Sequence, residues 1–123
     1  MTLFNRSEER GRDAARELEL PFLPLAELEP SRYELVVNAT SLGRDESEPL
    51  PFEPEALDAE AVLVDLVYGD QPTRLATAAR RRGLRVVDGR EVLLAQAIPQ
   101  FRLMTNREMS SATVRAALGM EIA

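Results

Sequence analysis

The chain has no cysteine, no histidine and no tryptophan among its 123 residues. Without cysteine there are no disulfides and no thiolate chemistry. Without histidine the commonest general base and the commonest metal ligand are gone, so no metal site is expected. Lysine is absent as well, since all 15 basic residues are arginine. That excludes Schiff-base chemistry and any lysine acid or base from this segment, although codon bias explains the arginine usage equally well. No run approaches the roughly 20 apolar residues of a membrane span, and no basic-then-apolar leader opens the chain, so a cytoplasmic location is expected. The net charge of −6 argues against a nucleic-acid or anionic-membrane surface, while leaving room for one local arginine patch on a phosphate. What remains is 45% hydrophobic and 29% charged, the balance of one modest globular domain with a single core.

Along the chain, Thr2 to Phe4 read as a short strand. Ser7 then starts a helix with Glu8 and Glu9 in its first turn and Ala14, Ala15 and Leu18 on one face, ended by Pro21. A second apolar piece spans Phe22 to Leu25. "YELVVNAT", Tyr33 to Thr40, has a continuous apolar centre, as expected of a strand covered on both faces. Ser41 to Pro54 is a loop, Ala61 to Tyr68 a second buried strand, and Thr73 to Arg82 a helix that stops at Gly83. "LRVVDG" gives another strand. A helix follows from Arg90 to about Met104, with a kink or break expected at Pro99.

Strands alternating with helices imply right-handed βαβ units and a Rossmann-like α/β fold, a parallel sheet with helices on both faces. Ligands of such sheets gather beyond the carboxyl ends of the strands. Asn5-Arg6-Ser7, Asn38 to Ser41, Asp65 with Tyr68, and Asp88-Gly89 each follow a strand, so four strand ends converge on one rim. In a dinucleotide fold an acid after the second strand suits the ribose of NAD, whereas an arginine suits the 2′-phosphate of NADP. Asn5-Arg6-Ser7 is either that phosphate grip or a turn with an N-capping serine. Arg10 either extends the patch or pairs with Glu9 or Asp13. "NATSLG" is either a close pass of backbone over a ligand or an ordinary strand exit. Asp65, costly to bury unpartnered, either caps backbone or touches a ligand. Tyr68 either offers a hydroxyl or packs. Gly89 opens a helix whose Gln96, two turns on, would be a polar group near the core in need of a partner.

Taken in order, "NRS", "VVNATSLG", "VDLVYGDQPT" and "GLRVVDGREVLLAQAIPQF" resemble the carboxyl-terminal, nucleotide-binding domain of the shikimate dehydrogenase family, over about residues 3 to 106. The resemblance implies that residues 1–123 are a partial NADP-binding domain of an enzyme that interconverts 3-dehydroshikimate and shikimate by hydride transfer, in aromatic amino-acid biosynthesis. It implies that Asn5, Arg6, Ser7 and Arg10 hold the 2′-phosphate and that Ala39, Thr40 and Ser41 line the cofactor path. Leu66 and Gly89 would contact the nicotinamide end, and Tyr68 and Gln96 would reach the substrate. Leu66 stands where some members carry methionine, and Asn106 replaces a glycine, so the C-terminal helix is expected to pack differently.

The family's first strand with its glycine-rich loop, and its amino-terminal domain with the catalytic lysine and aspartate, have no counterpart here. No catalytic residue is assigned, and the chain alone is expected to be inactive and to bind cofactor weakly. The first strand of such a sheet lies between the second and the fourth, so its absence leaves two apolar strand edges. The expected outcomes are a rearranged sheet, self-association through the exposed edges, or a strand supplied by another polypeptide. Two other readings use the same fold: a glutamyl-tRNA reductase-like nucleotide domain, and a non-catalytic nucleotide-binding or interaction module.

Overall fold

The computed structural model describes residues 1–120 and contains five short parallel strands alternating with helices. β1 (Leu3–Asn5) leads into α1 (Glu8–Glu17), and β2 (Phe22–Pro24) returns alongside β1 with Phe4 opposite Leu23. The helix stops at Leu18, before Pro21, and Glu19 takes a left-handed turn at φ 54°. Gly11 and Ala15 form its buried face. Leu18, expected on that face, is 62% exposed because it is the cap residue beyond the last turn. At Gly11 an added Cβ would run into the Phe22 ring and stand 2.9 Å from the Asn5 Cβ, so glycine is what lets α1 lie this close to both strands.

Two single-turn 3-10 segments, Leu25–Glu27 and Pro30–Arg32, carry the chain to a second parallel sheet. It consists of β3 (Leu35–Asn38), β4 (Val62–Asp65) and β5 (Arg85–Asp88), in that spatial order. α2 (Arg74–Arg81) joins β4 to β5. The Thr73 side chain caps its start, and Gly83 just beyond its end sits at φ 80°. One face of this sheet meets α2 to form the core, where Val36, Leu63, Leu75, Ala79 and Leu84 pack with Leu57. Leu63 and Leu75 are fully enclosed.

The strands form two separate parallel sheets, β1-β2 and β3-β4-β5, and β1 and β3 do not pair. An edge-to-face contact between Phe4 and Tyr33, with centroids 5.7 Å apart, links the two sides. β3 is therefore covered on one face rather than both. Val36 and Asn38 are buried, whereas Leu35 and Val37 are 54% and 48% exposed.

α3 (Gly89–Thr105) follows β5 and runs unbroken through Pro99. Proline denies the Ala95 carbonyl its donor, but both residues face solvent and water can take that acceptor, so the helix is not forced to break. Asn106 closes α3 in the left-handed conformation, φ 54°, the role glycine usually has. α4 (Ser111–Ala117) then packs against α3 through buried Val114 and a two-pronged Arg115 to Glu91 pair at 2.8–2.9 Å. No helix among the described residues is long and apolar enough to cross a membrane.

Candidate functional site

Parallel register sets Asn38, Asp65 and Asp88 side by side at the carboxyl ends of β3, β4 and β5. All three are buried. Asp65 is fully enclosed: Oδ1 accepts from Asn38 Nδ2 at 3.0 Å and from the Val67 N–H at 3.2 Å, and Oδ2 accepts from the Thr73 hydroxyl. Of the two roles open to it from sequence, it performs the first, clasping β3, the β4 exit and the start of α2. Among the described residues no buried side-chain nitrogen or oxygen lacks a partner.

The same clasp shapes the loop after β3. Asn38 Oδ1 accepts from the Thr40 N–H at 3.1 Å and the Thr40 hydroxyl at 2.7 Å, and the Thr40 oxygen accepts from the Leu42 N–H at 3.1 Å. Gly43 turns left-handed at φ 94° and its N–H donates to Glu48 at 3.1 Å. This tight bend leaves Ala39 and Ser41 exposed at the rim, with Thr40 half-buried between them.

Asp88 caps α3, accepting from the Arg90 and Glu91 N–H groups at 3.1 and 3.2 Å, while Arg80 donates to its other oxygen at 2.8 Å. Burial pushes this carboxyl up, but the Arg80 hydrogen bond, the Glu91 N–H and the charges of Arg80 and Arg90 outweigh it. Together they hold the group below its ordinary range. Gly89 is buried beneath the β4 exit: a Cβ there would stand 2.7 Å from the Leu66 carbonyl oxygen and 2.9 Å from Tyr68 Cβ. Its smallness thus serves contact between α3 and residues 66–68, which in turn leaves Leu66 and Tyr68 39% and 47% exposed.

Tyr68 opens onto a cleft of about 590 Å³ bounded by Arg44, Asp70, Arg90, Leu93 and the end of α4. Gln96 lies one turn beyond Leu93 on α3 and is exposed, not near the core, so the partner that burial would demand is unnecessary.

Across the opening between the sheets, Asn5 is half-buried at the end of β1, and Arg6, Ser7 and Arg10 are exposed. Ser7 occupies the N-cap position of α1, yet its side chain makes no capping bond. Arg10 pairs with neither Glu9 nor Asp13, for Asp13 is taken by Arg16 at 3.2 Å. Arg6 and Arg10 enter no ion pair among the described residues. The structure thus groups Thr40, Leu66, Tyr68 and Gly89 around the ends of β3 to β5, and sets the Arg6–Arg10 turn apart on β1. Sequence reasoning passed over Arg44 and Arg90, which flank the Tyr68 cleft, and Thr73, which completes the Asp65 clasp. Their proximity arises from residues far apart in sequence, although Arg90 directly follows the singled-out Gly89.

No family model matches the chain. Its sequence is 37% identical over 121 residues to the shikimate dehydrogenase (NADP(+)) of Methanothrix thermoacetophila, covering 94% of this chain and 45% of that protein. Its fold superposes on shikimate dehydrogenase from Aquifex aeolicus with a TM-score of 0.84 and 26% identity, over 95% of this chain and 43% of that one. With the shikimate 5-dehydrogenase of Thermus thermophilus, solved with NADP(H) and shikimate, the TM-score is 0.80 and the identity 32%, over 96% and 44% of the two chains. The chain spans less than half the length of each of these proteins.

Proposed function

We propose, from the premise that the chain belongs to the shikimate dehydrogenase family, that it forms the NADP-binding part of an oxidoreductase interconverting 3-dehydroshikimate and shikimate. The observation that carries this reading is the turn after β1. Two guanidiniums, Arg6 and Arg10, stand exposed on the turn after β1 and enter no ion pair among the described residues. Crevices beyond the carboxyl ends of parallel strands take dinucleotides, and a planar cation suits a ribose phosphate better than a ribose diol. The N–H groups at the start of α1 lack a side-chain acceptor from Ser7, so they too are available to an anion.

In this reading Asn5, Arg6, Ser7 and Arg10 grip the 2′-phosphate. The exposed Ala39 and Ser41, with Thr40 held by Asn38, border the cofactor path, and Leu66 with Gly89 supports the nicotinamide end. NADP supplies the hydride chemistry; these residues orient it. Tyr68, on the cleft, would offer a hydroxyl to the substrate, and Gln96, exposed on α3 one turn beyond Leu93, an uncharged carboxamide. Proton transfer is assigned to no residue of this chain, and a dehydrogenase assay on the chain alone should show no turnover.

The test is equilibrium titration of NADP⁺ and NAD⁺ into the chain and into Arg6→Ala. NADP⁺ should bind more tightly, and the variant should lose about tenfold or more for NADP⁺ with little change for NAD⁺, the effect expected of a lost charge-assisted bond. Equal affinity for the two cofactors in the parent chain would defeat the assignment.

A further inference from the structure

Thr40 stands where the chain is read as bordering the cofactor, yet its hydroxyl is already in use. It donates to Asn38 Oδ1 at 2.7 Å, and its oxygen accepts from the Leu42 N–H at 3.1 Å. A hydroxyl has one proton to give, so Thr40 has no donor left for a ligand. The Asn38 amide is spent in the same way. Its oxygen takes both the N–H, at 3.1 Å, and the hydroxyl of Thr40, and its nitrogen donates to Asp65 Oδ1 at 3.0 Å.

The direction of the Asn38 amide decides whether Thr40 is served. A carboxamide has nearly the same shape either way round, and turned over it would set its NH₂ against the Thr40 N–H. Asp65 prevents this, because its oxygens accept and so call for the nitrogen of Asn38. The Asp65 carboxyl is itself held fast, fully enclosed, by the Val67 N–H at 3.2 Å and the Thr73 hydroxyl, whose oxygen accepts from the Ala76 N–H at 3.1 Å. Directed bonds thus run from the start of α2 through Asp65 and Asn38 to the backbone of Thr40 and Leu42.

We propose that Asp65 is a positioning residue for nucleotide binding. It touches no ligand; it fixes the sense of the Asn38 amide, which folds residues 39–42 into the bend that presents Ala39 and Ser41 at the rim. Thr40 gives the site its shape and no hydroxyl contact. Nucleotide affinity therefore depends on the direction of one buried hydrogen bond, apart from what that bond adds to stability. The proposal rests on the reading that this loop borders the NADP path.

The experiment titrates NADP⁺ into the full chain and its variants, followed by amide shifts, with the Leu63 amide reporting that each is folded. Asn38→Asp sets a second acceptor against Asp65 and should weaken NADP⁺ binding about tenfold or more. Adding Asp65→Asn to it restores a donor–acceptor pair of the opposite sense and leaves an oxygen facing Thr40. Affinity should then return to within about threefold of the parent, a coupling that independent sites do not show. Should Asn38→Asp unfold, the parent still decides the matter: amide exchange at Thr40 and Leu42 should be no faster with NADP⁺ bound than without. Faster exchange at Leu42 on binding would show the Thr40 oxygen turning to the nucleotide, and would overturn the proposal. So would an Asn38→Asp chain that binds like its parent, or a double variant that binds as weakly as the single one. A parent chain whose amides do not respond to NADP⁺ at all would instead defeat the nucleotide reading, and the proposal with it.

Discussion

Asp65→Ala should be the most damaging polar substitution in this fold. The carboxyl serves three donors: the Asn38 amide at 3.0 Å, the Val67 N–H at 3.2 Å and the Thr73 hydroxyl. A buried donor left without an acceptor costs about 1–3 kcal/mol. The Asn38 amide keeps a weak second acceptor, the Leu42 carbonyl at 3.4 Å, and the Thr73 hydroxyl can rotate. The Val67 N–H has no such freedom. A loss of about 3–5 kcal/mol follows, against a total of about 5–15 kcal/mol for an ordinary domain. At about 4 °C per kcal/mol for a chain of this size, the melting temperature should fall by about 12–20 °C. Asp65→Asn retains one oxygen acceptor and should cost less. Urea and thermal unfolding by circular dichroism measure both variants, with amide exchange at Thr40 and Leu42 reporting whether the loop after β3 loosens. An Asp65→Ala protein within about 1 kcal/mol of its parent would refute the claim that these bonds hold the strand ends together.

At Gly89, alanine would set its Cβ against the backbone oxygens of Leu66 and Val67, which cannot step aside without moving the β4 exit. Gly89→Ala should cost about 1–3 kcal/mol and shift the Tyr68 resonances, whereas a neutral change with Tyr68 unmoved would contradict the tight packing. For Asp88 the folded carboxyl titrates below its ordinary value of 3.8. It therefore contributes stability that is present above that pH and lost as pH falls through the lower folded value. Asp88→Asn should flatten the acid limb of the stability curve below about pH 4, and denaturant titrations across that range read the effect.

Much of this architecture is legible in the sequence because apolar runs and turn residues are local signals. "AVLVDLVY" yields β4, and Gly83 marks the stop of α2 at φ 80°. The family likeness likewise rests on short motifs that keep their order. Coverage is not legible: the run around Val36 and Val37 reads as doubly buried, but burial depends on a neighbour that no local pattern reveals, and Val37 is half-exposed. Leu18 and Gln96 depart from expectation for a similar reason, since helical spacing gives the direction of a side chain without saying whether anything lies opposite. Pro99 breaks a helix only where the orphaned carbonyl finds no other donor, and that of Ala95 faces solvent. In the site, the sequence places Asp65 among candidate ligand contacts and candidate caps alike. Choosing between them needs Asn38 and Thr73, which tertiary structure brings to its two oxygens.

The central claim is that the crevice between the ends of β1 and β3 receives the phosphorylated adenosine of NADP. Amide shift mapping on the isotopically labelled chain during NADP⁺ titration addresses it directly and remains readable for weak binding. The largest shifts should fall on Asn5 to Arg10 and on Ala39 to Ser41, and NAD⁺ should leave the first group almost unmoved. Shifts confined to the separate hollow around Leu50, Arg74 and Arg81, or identical responses to both nucleotides, would contradict it.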